Sequence, residues 1–522
     1  MLIQDEKAFA VTEKSVRKND FRDITAEYTL PDYLPDINRL LRVSANAERA
    51  EKYCSGNEIE YDGKIIYSIV YATGDGELRC AVFDSDYSGS VSAGDLDFST
   101  FTVETHTENV SCRLSGPRKL TVKCKLCTAM SIYPARSADP TVSGKGVPSE
   151  TDHLQYRKKR IEFTKETLAE EKNTPVSEDV ETDPGMPPIE RIVFVNLTPC
   201  ALDVRAQNGK ISYSGALTAE VLYESGAEDR KYVSFSREVP VSGNVETNDA
   251  SEDSFIICDI EAVNVSFRPQ TNELGETKTV ELDFDYSVYF RIFGKESTEI
   301  TTDAYSTLCE TENEAESFKY TVPESLKTFN FSFGESEECG EDGSPNVIFA
   351  SAEASLVSAE KSGNRTAVGG NVTFYAIIEG ADGAFTSKTV TFPFKAETDA
   401  GKYAELFSHV GKAYASGASV RAVGGKLYCD CEITVCLAIF GEKETEALTA
   451  TNVYTDRPVS RNSGFNIVLY YPTRGESLWS VAKKYSTTEA KLSAANDGIK
   501  EISPGGVLII PSEKPRSLAK KS

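Results

Sequence analysis

Gly63-Lys-Ile-Ile-Tyr-Ser-Ile-Val-Tyr71, Gly215-Ala-Leu-Thr-Ala-Glu-Val-Leu-Tyr223 and, more loosely, Gly370-Asn-Val-Thr-Phe-Tyr-Ala-Ile-Ile378 are three versions of one pattern. In each, apolar residues fall two, four, six, seven and eight places after the glycine. Alternation of that kind is a strand with one face against a core. A turn sequence follows every copy, at Gly74 to Gly76, Glu224 to Asp229 and Glu379 to Gly383, so each strand runs into a hairpin. A second strand then arrives with Phe83, Phe235 or Phe392.

Upstream, Pro35-Asp-Ile37-Asn-Arg39-Leu40 recurs as Pro187-Pro-Ile189-Glu-Arg191-Ile192, and Gly63 or Gly215 follows the isoleucine by 26 residues in both. The third copy keeps only Pro345 and Val347 of this signature. Downstream, each copy has a longer alternating strand: Leu120 to Leu126, Val280 to Val288, and Leu427 to Leu437. The fold class that follows is mainly β, with three tandem antiparallel β-sandwich-like repeats and a small βααβ domain behind them. The repeats are placed at residues 31–135, 186–309 and 344–455, and the last domain at 464–513. By composition, residues 1–30 read as an N-terminal segment, 136–185 as a linker whose middle has the pattern of a strand or short helix, and 310–343 as an acidic linker. Both linkers are expected to be flexible.

A chain of 522 residues needs several cores. Its net charge of -25 argues against nucleic acid as the main partner, because phosphate backbones are bound by an excess of Lys and Arg. The first twenty residues contain no apolar signal-peptide core and no stretch is long and apolar enough to span a bilayer, so a cytoplasmic protein without a membrane span is expected. The twelve cysteines read as reduced thiols. Cys124, Cys429 and Cys431 occupy inward positions of alternating strands, and Cys127 faces away from Cys124, so their Cys-x-x-Cys does not chelate from one regular strand. No metal and no cofactor are expected. His106, His153 and His409 are scattered over different repeats or linkers with no Ser, Cys or carboxylate constellation nearby in sequence, and no phosphate-binding glycine loop occurs. Pairs such as Asp84 and Asp86 read as solvated turns. No catalytic residue is assigned, and the chain reads as no enzyme.

From Asn466 the pattern changes. A short strand leads to the turn Gly475-Glu476-Ser477-Leu478, and Leu478, Val481, Ala482 and Tyr485 have helical spacing. Ser477 and Thr488 are the expected caps of two helices. The second helix buries Leu492 and Ala495 and stops at Asn496-Asp497-Gly498, and Pro504 to Pro511 supplies a turn and closing strand. Trp479, the only tryptophan, lies about 100° around the helix from Leu478, at the edge of the buried stripe. Such a position suits a half-buried packing residue or an exposed anchor for a partner. Ile467, on the first strand, has the same two readings.

These residues resemble the LysM family, with its Gly-Asp-Thr-Leu turn, Tyr and Asn closing the helices, and Pro-Gly-x-x-Leu-x-Ile-Pro strand. The resemblance implies a groove for N-acetylglucosamine chains between Gly475 to Leu478 and Asn496 to Ile499, although Glu476 and Ser477 replace the common Asp and Thr. The repeats resemble the SPOCS family, also called DUF3794, of spore-forming Firmicutes. Three such repeats followed by one LysM are similar to clostridial coat morphogenetic proteins. That likeness implies an adaptor in the mother-cell cytoplasm at the forespore surface, whose LysM docks on a stage IV sporulation protein A-like ATPase. The alternative is a LysM that holds peptidoglycan or a chitin-like glycan at the cell wall or spore cortex. The partner- or glycan-binding set is Ile467, Gly475, Glu476, Ser477, Leu478, Trp479, Asn496, Asp497, Gly498 and Ile499.

Overall fold

The alternating sequences fold as long antiparallel strands that pair, repeat by repeat, into two facing sheets. The computed structural model describes residues 11–143, 153–227, 231–271, 275–340, 345–399, 407–459, 467–502 and 505–511. The first unit contains β1 (Val11–Thr12), β2 (Val16–Thr29), β3 (Arg39–Ala47), β4 (Glu51–Ser55), β5 (Glu58–Ala72), β6 (Leu78–Ser92), β7 (Phe98–Gly116) and β8 (Lys119–Arg136). One of its sheets is centred on β5, with β3, β4 and β6 paired to it; the other is centred on β8, with β1, β2 and β7. After β9 (Thr141–Ser143), the second unit runs through β10 (Leu154–Glu181), β11 (Ile189–Pro199), β12 (Asp203–Gln207), β13 (Lys210–Ser225), β14 (Tyr232–Glu246), β15 (Phe255–Thr271) and β16 (Thr277–Ser306). The third has β17 (Cys309–Glu338), β18 (Asn346–Ser362), β19 (Arg365–Glu379), β20 (Phe385–Thr398), β21 (Phe407–Val423) and β22 (Lys426–Pro458). In every unit the last strand is central and pairs with the first: β8 with β2, β16 with β10, β22 with β17.

Three segments expected outside the repeats are thus first strands of sandwiches. Residues 16–29 of the N-terminal segment form β2, most of the linker 136–185 is β10, and nearly all of the acidic linker 310–343 is β17. The physical reason is their place at the sheet edge, where one face and one flank meet water. An edge strand carries Glu and Lys on its outer face and tolerates Pro175 and Pro323, so its composition is that of a linker. Ile161, Phe163, Phe318 and Tyr320 are nevertheless buried.

The repeated glycine has a steric cause. A Cβ at Gly63 would lie 2.7 Å from the Tyr87 hydroxyl, one at Gly215 would lie 2.6 Å from Leu202, and one at Gly370 would meet the Ser355 carbonyl and Phe394. The signature proline and the tyrosine closing the strand are bonded to one another: Tyr71 donates to the Pro35 carbonyl and Tyr223 to that of Pro187, both at 3.0 Å. The third copy has Ile378 in place of this tyrosine, which removes the bond along with the signature.

The three sandwiches close on one another in a ring: β6 touches β11, β14 touches β18 and β20 touches β3. Register makes the contributions equivalent, with Val70, Leu222 and Ile377 opposite Arg42, Phe194 and Phe349 respectively. All of these but Arg42 meet in one apolar cluster with Leu41, Val193 and Ile348, one such residue per unit, each at a register shift of its strand. Arg42 breaks the symmetry. Its guanidinium carbon stands 5.8 Å from the Phe194 ring, 5.7 Å from Phe349 and 5.1 Å from Tyr375, a cationic head inside an aromatic cage. Beside it, burial pushes the Glu220 carboxyl up to about 7, against the opposing pull of Asn196, Arg42 and Thr198.

The outer ends of β10, β16, β17 and β22 project beyond the sandwiches as paired arms. Ile161, Phe163, Ile300, Phe318, Tyr320, Val322 and Ala447 pack between the arms, joined by Val11, and β9 pairs in parallel with β22.

Candidate functional site in the C-terminal module

The last domain is built from β23 (Ile467–Tyr470), α1 (Leu478–Lys484), α2 (Glu489–Ala494) and β24 (Leu508–Pro511). Its caps are those the sequence implies. Ser480 N donates to the Ser477 hydroxyl at 3.2 Å while Ser477 N donates to that of Ser480 at 2.9 Å, and Lys491 N donates to Thr488 Oγ1 at 3.2 Å. Leu478, Val481, Ala482, Leu492, Leu508 and Ile510 form the core, with Val468, Tyr470, Tyr485 and Ile499 against it. Ala495 caps α2 and is only half-buried, a departure from the buried position expected of it.

The residues expected to bind a partner or glycan divide into three groups. Leu478 and Ile499 are part of the core. Glu476 and Asn496 have polar groups engaged within the domain. The Glu476 carboxylate accepts from the Tyr470 hydroxyl at 2.7 Å and from Thr473 N at 2.8 Å, and these bonds, the tyrosine's first, hold it below the usual carboxylate range. Asn496 Nδ2 donates to the carbonyls of Leu492 and Ile509, both at 2.8 Å, and its Oδ1 accepts from Ile509 N at 2.7 Å, so the amide pins β24 to the end of α2. Gly475, Asp497 and Gly498 are exposed, Ser477 is half-buried, and Gly475, Asp497 and Gly498 have left-handed backbone, with φ of +94°, +56° and +76°. Ile467 pairs with Pro511 in the strand register; its side chain lies outside the described residues.

Trp479 stands apart from all three groups. It is 6% exposed, clustered with the core of its own domain, and β16 adds to its cover. Trp479 Nε1 donates to Asp303 Oδ2 at 2.7 Å, and its ring meets Tyr305 edge to face at 4.9 Å and 71°. Lys483, one turn on, reaches Asp303 Oδ1 at 2.5 Å, and the Tyr305 hydroxyl donates to the Thr487 carbonyl at 2.7 Å. Burial raises the Tyr305 phenol further above its ordinary range, keeping it a donor. The domain is thus docked on an arm of its own chain by the face that carries its tryptophan.

Comparison with protein families adds two matches. Residues 473–511, from the turn before α1 through β24, match the LysM domain. The module is a LysM domain. Residues 188–268, which take in β11 to β14 and most of β15, match the SPOCS domain of SipL. No curated protein and no solved structure gives a match. The LysM domain therefore follows a body of three sandwiches, the second of which carries the SPOCS match.

Elsewhere the chemistry is sparse. All twelve cysteines are free. Cys124, Cys429 and Cys431 are buried in sandwich cores, where burial pushes the Cys431 thiol up to about 12 and that of Cys429 to about 11, the state of an inert packing residue. One possible group of metal ligands occurs among the described residues: His106, Glu108 and Cys127, with ligand atoms within 4.8 Å of one another on β7 and β8. Sequence separation hid it, since only the register sets His106 opposite Cys127. Glu108 is already ion-paired with Lys125 at 2.7 Å. Among the described residues no helix is long and apolar enough to cross a membrane.

Proposed function

We propose that this chain is a non-enzymatic adaptor of spore-envelope assembly. Its LysM domain docks on a protein, a stage IV sporulation protein A-like ATPase, at the forespore surface in the mother-cell cytoplasm. A role in sporulation is supported by the SPOCS match. The observation that supports a protein over a sugar is the engagement of the loop polar groups: a glycan is recognised through free donors and acceptors, and those of Glu476 and Asn496 are bonded inside the domain. The sandwiches serve as a rigid body that fixes where the LysM domain sits.

The second reading, LysM binding of peptidoglycan, is favoured by the LysM match itself and by the exposure of Gly475, Asp497 and Gly498 at the two loops. The full chain decides between them. Retention by the purified ATPase, with none on insoluble peptidoglycan, is the expected result. Retention on peptidoglycan without binding to the ATPase overturns the adaptor reading.

A further inference from the structure

Leu126 and Met130 of β8 point into the core of the first sandwich, and the period of two sets Cys127 on the other, outer face of the same sheet. Its register partner on β7 is His106, which therefore stands beside it on that face. A bulge brings a third group. Thr107 and Val110 pair with the inward residues Leu126 and Cys124, and the register shifts between Thr107 and Asn109. Two residues, Glu108 and Asn109, thus fill the outer side where regular pairing allows one, and the extra residue is aimed at its neighbours. The result is an imidazole nitrogen, a carboxylate oxygen and a thiol sulfur within 4.8 Å of one another. Among the described residues neither the His106 ring nor the Cys127 thiol has a hydrogen-bond partner.

The donor set selects the metal. Calcium and magnesium take oxygen ligands, whereas one sulfur, one imidazole and one carboxylate suit zinc. Ligand atoms on one tetrahedral zinc stand about 3–4 Å apart, a closure of roughly 1 Å from the spacing here. His106 and Glu108 are exposed and free to rotate into it, while Cys127 is buried and fixed. The Glu108 carboxylate already accepts a cation, the Lys125 ammonium at 2.7 Å. Lys125 also lies over the Phe21 ring at 5.0 Å and faces Asp23, its register partner on β2, so a second carboxylate receives it when Glu108 turns to a metal. Cys124 takes no part, since it faces the core; two strands supply what one Cys-x-x-Cys does not.

We propose that His106, Glu108 and Cys127 bind one zinc ion on the outer face of the first sandwich, with water in the fourth position, tying the bulged β7 to the central strand β8. A zinc–sulfur bond replaces the S–H bond of Cys127, the proton passes to solvent, and no electron is transferred. The site is independent of what the LysM domain holds.

The test uses the full chain, reduced and stripped of metal with a chelator. Zinc is titrated against a chromogenic zinc indicator, and cobalt(II) is added separately as a spectroscopic stand-in. One zinc equivalent per chain is expected, and with cobalt a thiolate-to-metal charge-transfer band. Zinc affinity is expected to fall about tenfold or more in His106→Ala and in Cys127→Ser. The cobalt band should vanish in Cys127→Ser and persist in Cys54→Ser, which removes an exposed thiol elsewhere. His106 is exposed, so its variant keeps the fold, as far-ultraviolet circular dichroism checks, and decides the matter if Cys127→Ser does not fold. Zinc affinity unchanged in His106→Ala overturns the proposal. So does a cobalt band that survives Cys127→Ser or is lost in Cys54→Ser.

Discussion

Sandwich meets sandwich through an apolar cluster to which every repeat contributes; the LysM domain meets β16 through one indole, one ammonium, one phenol and one carboxylate. The first interface is continuous with the hydrophobic interior, and opening it exposes a face of every unit to water. The second exchanges a few directional bonds, each worth on the order of 1 kcal/mol net, for bonds to solvent or to another protein. The same chain thus combines a permanent body with a module whose attachment is far weaker.

Breaking the ring is expected to have the largest effect. Phe349 is 1% exposed and packs edge to face on Phe194 at 4.8 Å. Phe349→Ala should cost about 3–5 kcal/mol in denaturant unfolding, with all three sandwiches affected together. Loss confined to the third sandwich would mean that the units are energetically independent.

Next is a pH effect at the same junction. The folded Glu220 carboxyl, raised to about 7 from an ordinary value near 4.5, holds its proton where the unfolded chain has lost it. Its contribution is therefore full below about 4.5 and is lost as pH rises through about 7. Glu220→Gln, which mimics the neutral form, should match the parent near pH 5 and exceed it near pH 8 by ~1–3 kcal/mol. Equal pH profiles for the two proteins would contradict this.

The docked module should respond more mildly. Asp303→Ala removes the acceptor of both Trp479 and Lys483 and should cost the dock ~1–3 kcal/mol, seen as faster amide exchange in α1 while the sandwiches keep their protection. Thr488→Ala is expected to cost about 1 kcal/mol, limited to LysM melting.

The sandwich interiors were legible because a strand with one buried face writes its period directly into sequence, as at Leu427 to Leu437. The first strands were not legible. In β17, Phe329, Phe331 and Phe333 alternate as plainly as any core strand, but the surrounding glutamates and Pro323 have linker composition. Ring closure had no local signal either: Leu41, Val193 and Ile348 point outward only because each strand shifts register there. In the LysM domain the caps and helical spacing were readable. The cover over Trp479 was not, since Asp303 is 176 residues away in sequence. A signal did exist for the exposed apolar side of the LysM strands, where Leu469 and Tyr471 are 59% and 66% exposed. Val468 to Tyr471 is an unbroken apolar run where a strand covering one small core needs only every second residue.

Because Trp479 is the only tryptophan, its fluorescence in the full chain reports the orientation of the LysM domain without a label. The structure predicts blue-shifted emission, shielded from acrylamide, that shifts red and becomes quenchable in Asp303→Ala and Tyr305→Ala. Red-shifted, freely quenched emission from the unmodified protein, unchanged by either substitution, would contradict the docked arrangement.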